Sequence, residues 1–191
     1  IRSIGINPIN YKTELFVTKE EVKSVKKYIK GFTVIIHPAS KHKNHRWEPE
    51  KFAEVADYLI KKYNAHVIFT GLESEKQLIN EVISKMKQTP LDLSGKLSLR
   101  EFVALIKSSD LLLSVDTSAI HIAAAVDTPV VALFGPSIPY FWGPYNKNSK
   151  VIWKKEGCFG CDKYHCAINT YECTKNISVE EVINELKRFM K

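Results

Sequence analysis

The sequence predicts an α/β fold: a Rossmann-like, doubly wound parallel sheet of about six strands with helices on both faces. Three observations predict it. Short apolar runs bounded by turn residues recur along the chain, amphipathic helical segments separate them at short intervals, and the runs are continuous rather than alternating, as strands buried on both faces require. In such a sheet the ligand crevice lies beyond the carboxyl ends of the strands. The loops that begin at His37, Thr70, Leu93, Asp116 and Phe134 are therefore the ones expected to face a ligand.

Taken in order, the first 32 residues read as an extended polar stretch, a linker, followed by a leading helix over 19–30. Thr33–His37, bounded by Gly31 and Pro38, is the first strand. A helix over Pro49–Tyr63 follows, with Phe52, Val55, Ala56, Leu59 and Ile60 at helical spacing behind a proline suited to a first turn. The second strand covers 65–70, between Asn64 and Gly71. Then come a helix over 74–86, a short strand at 91–93, and a helix over 98–107 in which Ser98 and Glu101 stand at capping-box spacing. Leu111–Val115 is a strand, Thr117 or Ser118 opens the next helix, and 129–134 is a further strand. Ser178-Val179-Glu180-Glu181 repeats the capping box and opens a terminal helix, 178–190, whose Val182, Ile183, Leu186 and Phe189 make one apolar packing face. Two units result: 1–32, linker and leading helix, and 33–191, a ligand-binding domain that includes a cysteine-rich loop, 157–174, and the terminal helix.

Composition narrows the function classes. With 191 residues, 45% hydrophobic and 26% charged, the chain can bury one sizeable core as a soluble unit. It holds no uninterrupted apolar stretch of the roughly 18 residues a membrane span needs, and the start, Ile1-Arg2-Ser3-Ile4-Gly5, lacks the form of a signal peptide. The absence of an initial Met is consistent with processing or with a piece of a longer protein. A net charge of +7 favours anionic partners. Lysines such as Lys23, Lys26, Lys61 and Lys62 are spread over helices as a solvated face, and no RNA-binding aromatic signature, zinc-finger spacing or basic tail is present, so no nucleic-acid partner is expected.

The chemistry concentrates in the strand-end loops. Asp116-Thr117-Ser118-Ala119-Ile120-His121 carries the chain from a strand into an Ala-rich helix. A hydroxyl there caps free backbone N–H groups, and those groups with the positive end of the helix dipole form a ready anion site. His37-Pro38-Ala39-Ser40-Lys41-His42-Lys43-Asn44-His45-Arg46-Trp47 is a cationic loop in which small Ala39 and Ser40 allow close backbone approach, while Lys41, Lys43 and Arg46 supply charge. Gly71-Leu72-Glu73-Ser74-Glu75 places carboxylates where they can grip ribose hydroxyls, or simply suit a first helical turn. Phe134-Gly135-Pro136-Ser137 turns the backbone sharply at the same edge.

Cys158, Cys161, Cys166 and Cys173 lie within sixteen residues, with His165 adjacent. Four thiolates can close a tetrahedral structural zinc site, although the spacing is not that of a zinc ribbon. A disulfide pair, or reduced thiols packed in a loop or poised for oxidation, are the alternatives.

These motifs, in this order from Val34 onward, resemble the heptosyltransferases of glycosyltransferase family 9, and the match is to the C-terminal, donor-binding half of a two-domain GT-B enzyme. The resemblance implies an inverting transfer of heptose from a nucleotide diphosphate, ADP-heptose in kind, to a lipid-anchored lipopolysaccharide inner-core acceptor. It implies a cytoplasmic protein, peripheral at the inner membrane face, that needs no metal at the reaction centre. Residue by residue, Asp116, Thr117, Ser118, Ala119 and His121 would lie at the donor diphosphate and its sugar, Glu75 at the ribose, and Ser40, Lys43, His45 and Arg46 near the phosphates. Two positions depart from the family pattern: Ser118 stands where Gly is usual, and His45 where a phosphate-neutralising Lys is usual. Family members often carry a cysteine group like this one. By the same resemblance an N-terminal half carries the acceptor site and, as an acidic residue, the general base, so this chain is expected to bind donor without catalysing alone. The alternatives are a non-catalytic nucleotide- or phosphate-binding module, and another GT-B-type enzyme such as an epimerase.

Overall fold

A computed structural model describes residues 4–5, 12–155 and 157–190; the parts of the expected linker at 1–3 and 6–11 lie outside the described residues. Six strands form one sheet: β1 Thr33–His37, β2 His66–Phe69, β3 Leu91–Asp92, β4 Leu111–Val115, β5 Val130–Phe134 and β6 Ser149–Trp153. They run in the order β3-β2-β1-β4-β5-β6, every neighbouring pair parallel. β1, β4 and β5 are buried at every residue, which is why their sequences carry continuous apolar runs.

Helices cover both faces. Against Val34, Ile36, Leu113 and Leu133 pack α2 (Pro49–Tyr63), α3 (Lys76–Ser84) and α8 (Val179–Lys187), through Phe52, Leu59, Ile79, Val182 and Leu186. Against Ile35, Leu112, Ala132 and Phe134 pack α1 (Lys19–Val25), α4 (Leu99–Ser108) and α5 (Ser118–Ala125), through Val25, Leu105, Ile120 and Ala123. Alternate residues of one strand thus serve two separate cores. Two short helices, α6 (Pro139–Trp142) and α7 (Glu172–Lys175), follow β5 and β6 respectively.

Local chemistry sets the helix ends. α1, α4 and α8 each open on a capping box, at Thr18 and Glu21, Ser98 and Glu101, and Ser178 and Glu181. α2 starts on Pro49 and stops where Asn64 turns left-handed, φ 52°, its N–H reaching back to the Ile60 carbonyl. The leading helix is shorter than the 19–30 expected: its α-helical part is α1, and Lys26–Tyr28 tighten into a 3-10 turn as the chain bends toward β1. β6 is an edge strand with only Ile152 fully buried, so its sequence lacks the long apolar run that marks the inner strands.

The connections decide where a ligand fits. From β1 the chain crosses through α2 to β2 on one side; from β4 it crosses through α5 to β5 on the other. The loops leaving neighbouring β1 and β4 therefore diverge, and a crevice opens between them at the carboxyl edge.

Candidate functional site

That crevice holds a cavity of about 380 Å3 with chemically distinct walls. Leu72, Leu97, Leu99 and Phe102 form an apolar wall from the β2 and β3 loops and α4; Leu72 and Leu99 remain 66% and 69% exposed, far more than packing residues of this size would be. Glu75 lies on the same wall, its Oε2 accepting the Leu72 N–H at 2.8 Å, which closes the turn and holds the carboxylate in place. Opposite stand Ser40 and Lys41 of the β1 loop and Asp116, Thr117 and Ser118 at the start of α5.

Each side chain has an elementary reason to be there. Thr117 is the N-cap of α5, in extended conformation, and its Oγ1 accepts the Ala119 N–H at 3.3 Å. The Ser114 hydroxyl lies 3.3 Å from that oxygen, so the cap is itself held from the strand below. Gly71 leaves no room for a side chain, since a Cβ there would come 2.4 Å from Ile79 Cδ1. His37 forms the floor: its Nδ1 lies 3.1 Å from Thr70 Oγ1 and its ring 5.4 Å from that of Phe102. Burial pushes its pKa down to about 4, so it is neutral at physiological pH and contributes hydrogen bonding rather than charge.

Of the expected site residues, the structure brings Ser40, Glu75, Asp116, Thr117 and Ser118 to this one cavity. The others lie behind or beside it. His45 Nδ1 is 3.4 Å from Asp116 Oδ2, both side chains largely buried. Arg46 donates through Nε to the Ser40 carbonyl at 2.7 Å, bracing the β1 loop from beneath. Ala119 is fully buried, His121 is exposed on α5 outside the cavity wall, and Lys43 lines a second, neighbouring cavity. Sequence reasoning did not name the apolar wall. Its signal was Leu99 at the first position of α4 and Leu72 beside Gly71, apolar side chains at strand-end loops with no helix face to join.

The four cysteines are free thiols. Cys173 is buried, and its pKa is pushed up to about 11, first by burial and then by the nearby Cys158, Cys161 and Cys166, which places the four within electrostatic reach of one another. Backbone N–H groups, that of Tyr171 foremost, hold the Cys166 thiol below its ordinary value. Among the described residues no three His, Cys, Asp or Glu side chains are grouped so as to hold a metal ion. No described helix is long and apolar enough to cross a membrane.

The cavity joins a helix N-terminus, a carboxylate and an apolar slot, and comparison with known proteins identifies the family of the chain. Lipopolysaccharide core heptosyltransferase OpsX of Haemophilus influenzae is 31% identical over 155 residues, covering 78% of this chain and 44% of its own length. A glycosyltransferase family 9 structure from Veillonella parvula superimposes with a TM-score of 0.89 at 23% identity, over 99% of this chain and 57% of that one. The E. coli ADP-heptose lipopolysaccharide heptosyltransferase II does so with a TM-score of 0.78 at 24% identity, over 93% and 53%. The two structures establish a shared fold, and the chain spans about half the length of the proteins it matches. The sequence model of glycosyltransferase family 9 (heptosyltransferase) matches residues 3–172, more than half of the chain, and the chain belongs to that family.

Proposed function

We propose that this chain is the donor-binding half of an inverting glycosyltransferase that moves a sugar, heptose, from a nucleotide diphosphate to a lipopolysaccharide core acceptor. The observation that carries the proposal is the make-up of the cavity lining: apolar side chains, a carboxylate, hydroxyls, a lysine and a helix N-terminus. Those groups suit the base, ribose and diphosphate of an ADP-sugar. Family membership and the E. coli relative whose name specifies ADP-heptose support the same donor.

In this reading Leu72, Leu97, Leu99 and Phe102 take the base, and Glu75 accepts the ribose hydroxyls. Ser40 and Lys41, with the first-turn N–H groups of α5, take the diphosphate. An acceptor hydroxyl attacks the anomeric carbon as the bond to the diphosphate oxygen breaks, with inversion, and the charge arriving on that oxygen is what the helix start and Lys41 stabilise. Asp116 faces the sugar end, with His45 behind it. Lys43, Arg46, Ala119 and His121 act from outside the cavity wall, by charge or by holding the loop and helix. The donor domain is 33–191, with 1–32 as linker and leading helix. The base that deprotonates the acceptor comes from a second, N-terminal half, and the acceptor's lipid anchor brings the basic surface, net +7, to the inner membrane face. The chemistry uses no metal at the anomeric carbon.

Calorimetric titration with ADP-, UDP- and GDP-linked sugars tests this. The chain binds the ADP-sugar selectively, and Glu75→Ala weakens binding about tenfold, as loss of charge-assisted hydrogen bonds does. Absence of any binding, or equal binding by Glu75→Ala, would overturn the assignment. The isolated chain gives no sustained sugar transfer; steady turnover by it alone would show that the base is within these residues.

A further inference from the structure

The charged side chains lining the crevice cavity do not balance for an anionic ligand: one cation, Lys41, stands against two carboxylates, Glu75 and Asp116. His37, on the floor, is neutral at physiological pH. A carboxylate beside a diphosphate weakens its binding unless a counter-charge stands close to that carboxylate. Asp116 has such a neighbour. His45 Nδ1 faces its Oδ2 at 3.4 Å, with only 11% of the His45 side chain and 13% of the Asp116 side chain exposed, so water and salt screen the pair little. The turn that carries His45 is fixed on both sides. Lys43–His45 form a single 3-10 turn, closed by the Arg46 N–H on the Lys43 carbonyl at 3.1 Å. Within it the buried Asn44 donates through Nδ2 to the Lys163 carbonyl at 2.6 Å, and just after it the buried Trp47 donates through Nε1 to the Ile177 carbonyl at 3.0 Å. The loop itself thus delivers the imidazole to Asp116.

The other titratable groups around His45 do not take over its part. Lys41, Lys43 and Arg46 share its loop, and Arg46 donates to the Ser40 carbonyl. His42 lies 5.6 Å away, ring to ring, and stacks on Tyr164 of the cysteine-rich loop. Partial burial, and then the charges of His45, Lys41 and His165, push His42 toward its neutral form. An imidazole is the ordinary side chain whose charge changes near neutral pH, and the one that faces Asp116 is His45. We propose that His45 is a positioning residue and a proton-dependent counter-charge: it holds Asp116 in the cavity wall and, on taking a proton from solvent, cancels the carboxylate's charge, so that a nucleotide diphosphate binds with net proton uptake and more tightly on the acid side of neutrality. The proposal rests on the donor-site reading and adds its control by pH.

ADP-glucose serves as probe, because its phosphates lack the second ionisation near about pH 6 and the ligand itself does not titrate over the range. Calorimetric titration at about pH 6 and pH 8, in buffers of different ionisation enthalpy, gives both the affinity and the protons taken up. The native chain binds about tenfold more tightly at the lower pH and takes up a fraction of a proton near neutrality. His45→Gln, polar but never charged, binds with the weaker affinity at both pH values and takes up no proton. His45→Lys, charged throughout, binds tightly at both, and His42→Gln keeps the native profile. A flat native profile, a native-like profile in His45→Gln, or His45→Lys binding no better than His45→Gln would each overturn the proposal while leaving the donor reading in place. Absence of ADP-glucose binding at either pH would remove the donor reading and this proposal with it.

Discussion

His37 shows how one residue can carry both a site and a stability signature. Its ring is the buried floor of the crevice cavity, paired with Thr70, and its pKa falls from 6.5 to about 4 because burial penalises the charged form. Between those values the unfolded chain takes up a proton that the folded chain refuses. The stability is therefore full above pH 6.5 and drains away as pH falls toward 4, on the order of 3 kcal/mol in all. Urea unfolding of the native chain and of His37→Gln across pH 7 to 4 checks this: the native profile falls more steeply, and the gap between the two closes in the acid range. Gly95 makes a second residue-scale prediction. It sits at φ +69° with a Cβ position 1.9 Å from Glu73 Oε2, so Gly95→Ala destabilises by about 1–2 kcal/mol even after that flexible carboxylate moves aside. Equilibrium denaturation measures it. His37 at a strand end was visible in the sequence as a loop-facing residue, whereas its neutrality depends on what covers it, which no spacing rule conveys.

Among the elements, the helices announced themselves through chemistry that acts within a turn. Ser98 with Glu101 and Ser178 with Glu181 are sequence-local pairs, and both form the capping boxes their spacing implies. Ser178→Ala removes a cap that does not line the crevice cavity; on the proposed donor reading we expect a loss of about 1 kcal/mol with ADP affinity unchanged, read from paired unfolding and binding curves. Strands were legible where both faces are covered. β6, with one face partly open, offers only Val151, Ile152 and Trp153 between lysines, and α6 is a single turn after Ile138, so neither had a pattern long enough to recognise. The site divided the same way. Thr117 and Glu75 obey local rules of helix starts. The apolar wall is assembled from two loops and a helix that meet only because β1, β2 and β3 are neighbours, a fact of topology rather than of sequence.

For the molecule as a whole, ligand and charge are the levers. A nucleotide that binds the folded chain alone raises its stability by mass action, about 2.7 kcal/mol at a hundredfold excess over Kd. On the proposed donor reading a thermal shift with ADP is expected, smaller in Thr117→Val, which loses the hydroxyl cap of α5. The membrane contact proposed above rests on the surplus of seven positive charges, so any association with anionic vesicles is expected to fall steeply with salt; sedimentation at low and high ionic strength measures that dependence, and no association at low salt would remove the membrane contact.

The terminal helix has one more consequence. α8 lies against α2, β5 and β6, and its base is tied back to the start of the fold, with Trp47 Nε1 donating to the Ile177 carbonyl at 3.0 Å and Lys51 donating to the same oxygen. Synthesis runs from the amino end, so every strand of the sheet leaves the ribosome before the helix that covers part of one face. For that interval Leu133, Ile152 and Trp47 lack their lid, and the nascent sheet presents a sticky apolar flank to chaperones and to other copies of itself. A helix made after every strand it covers thus leaves that flank open during synthesis.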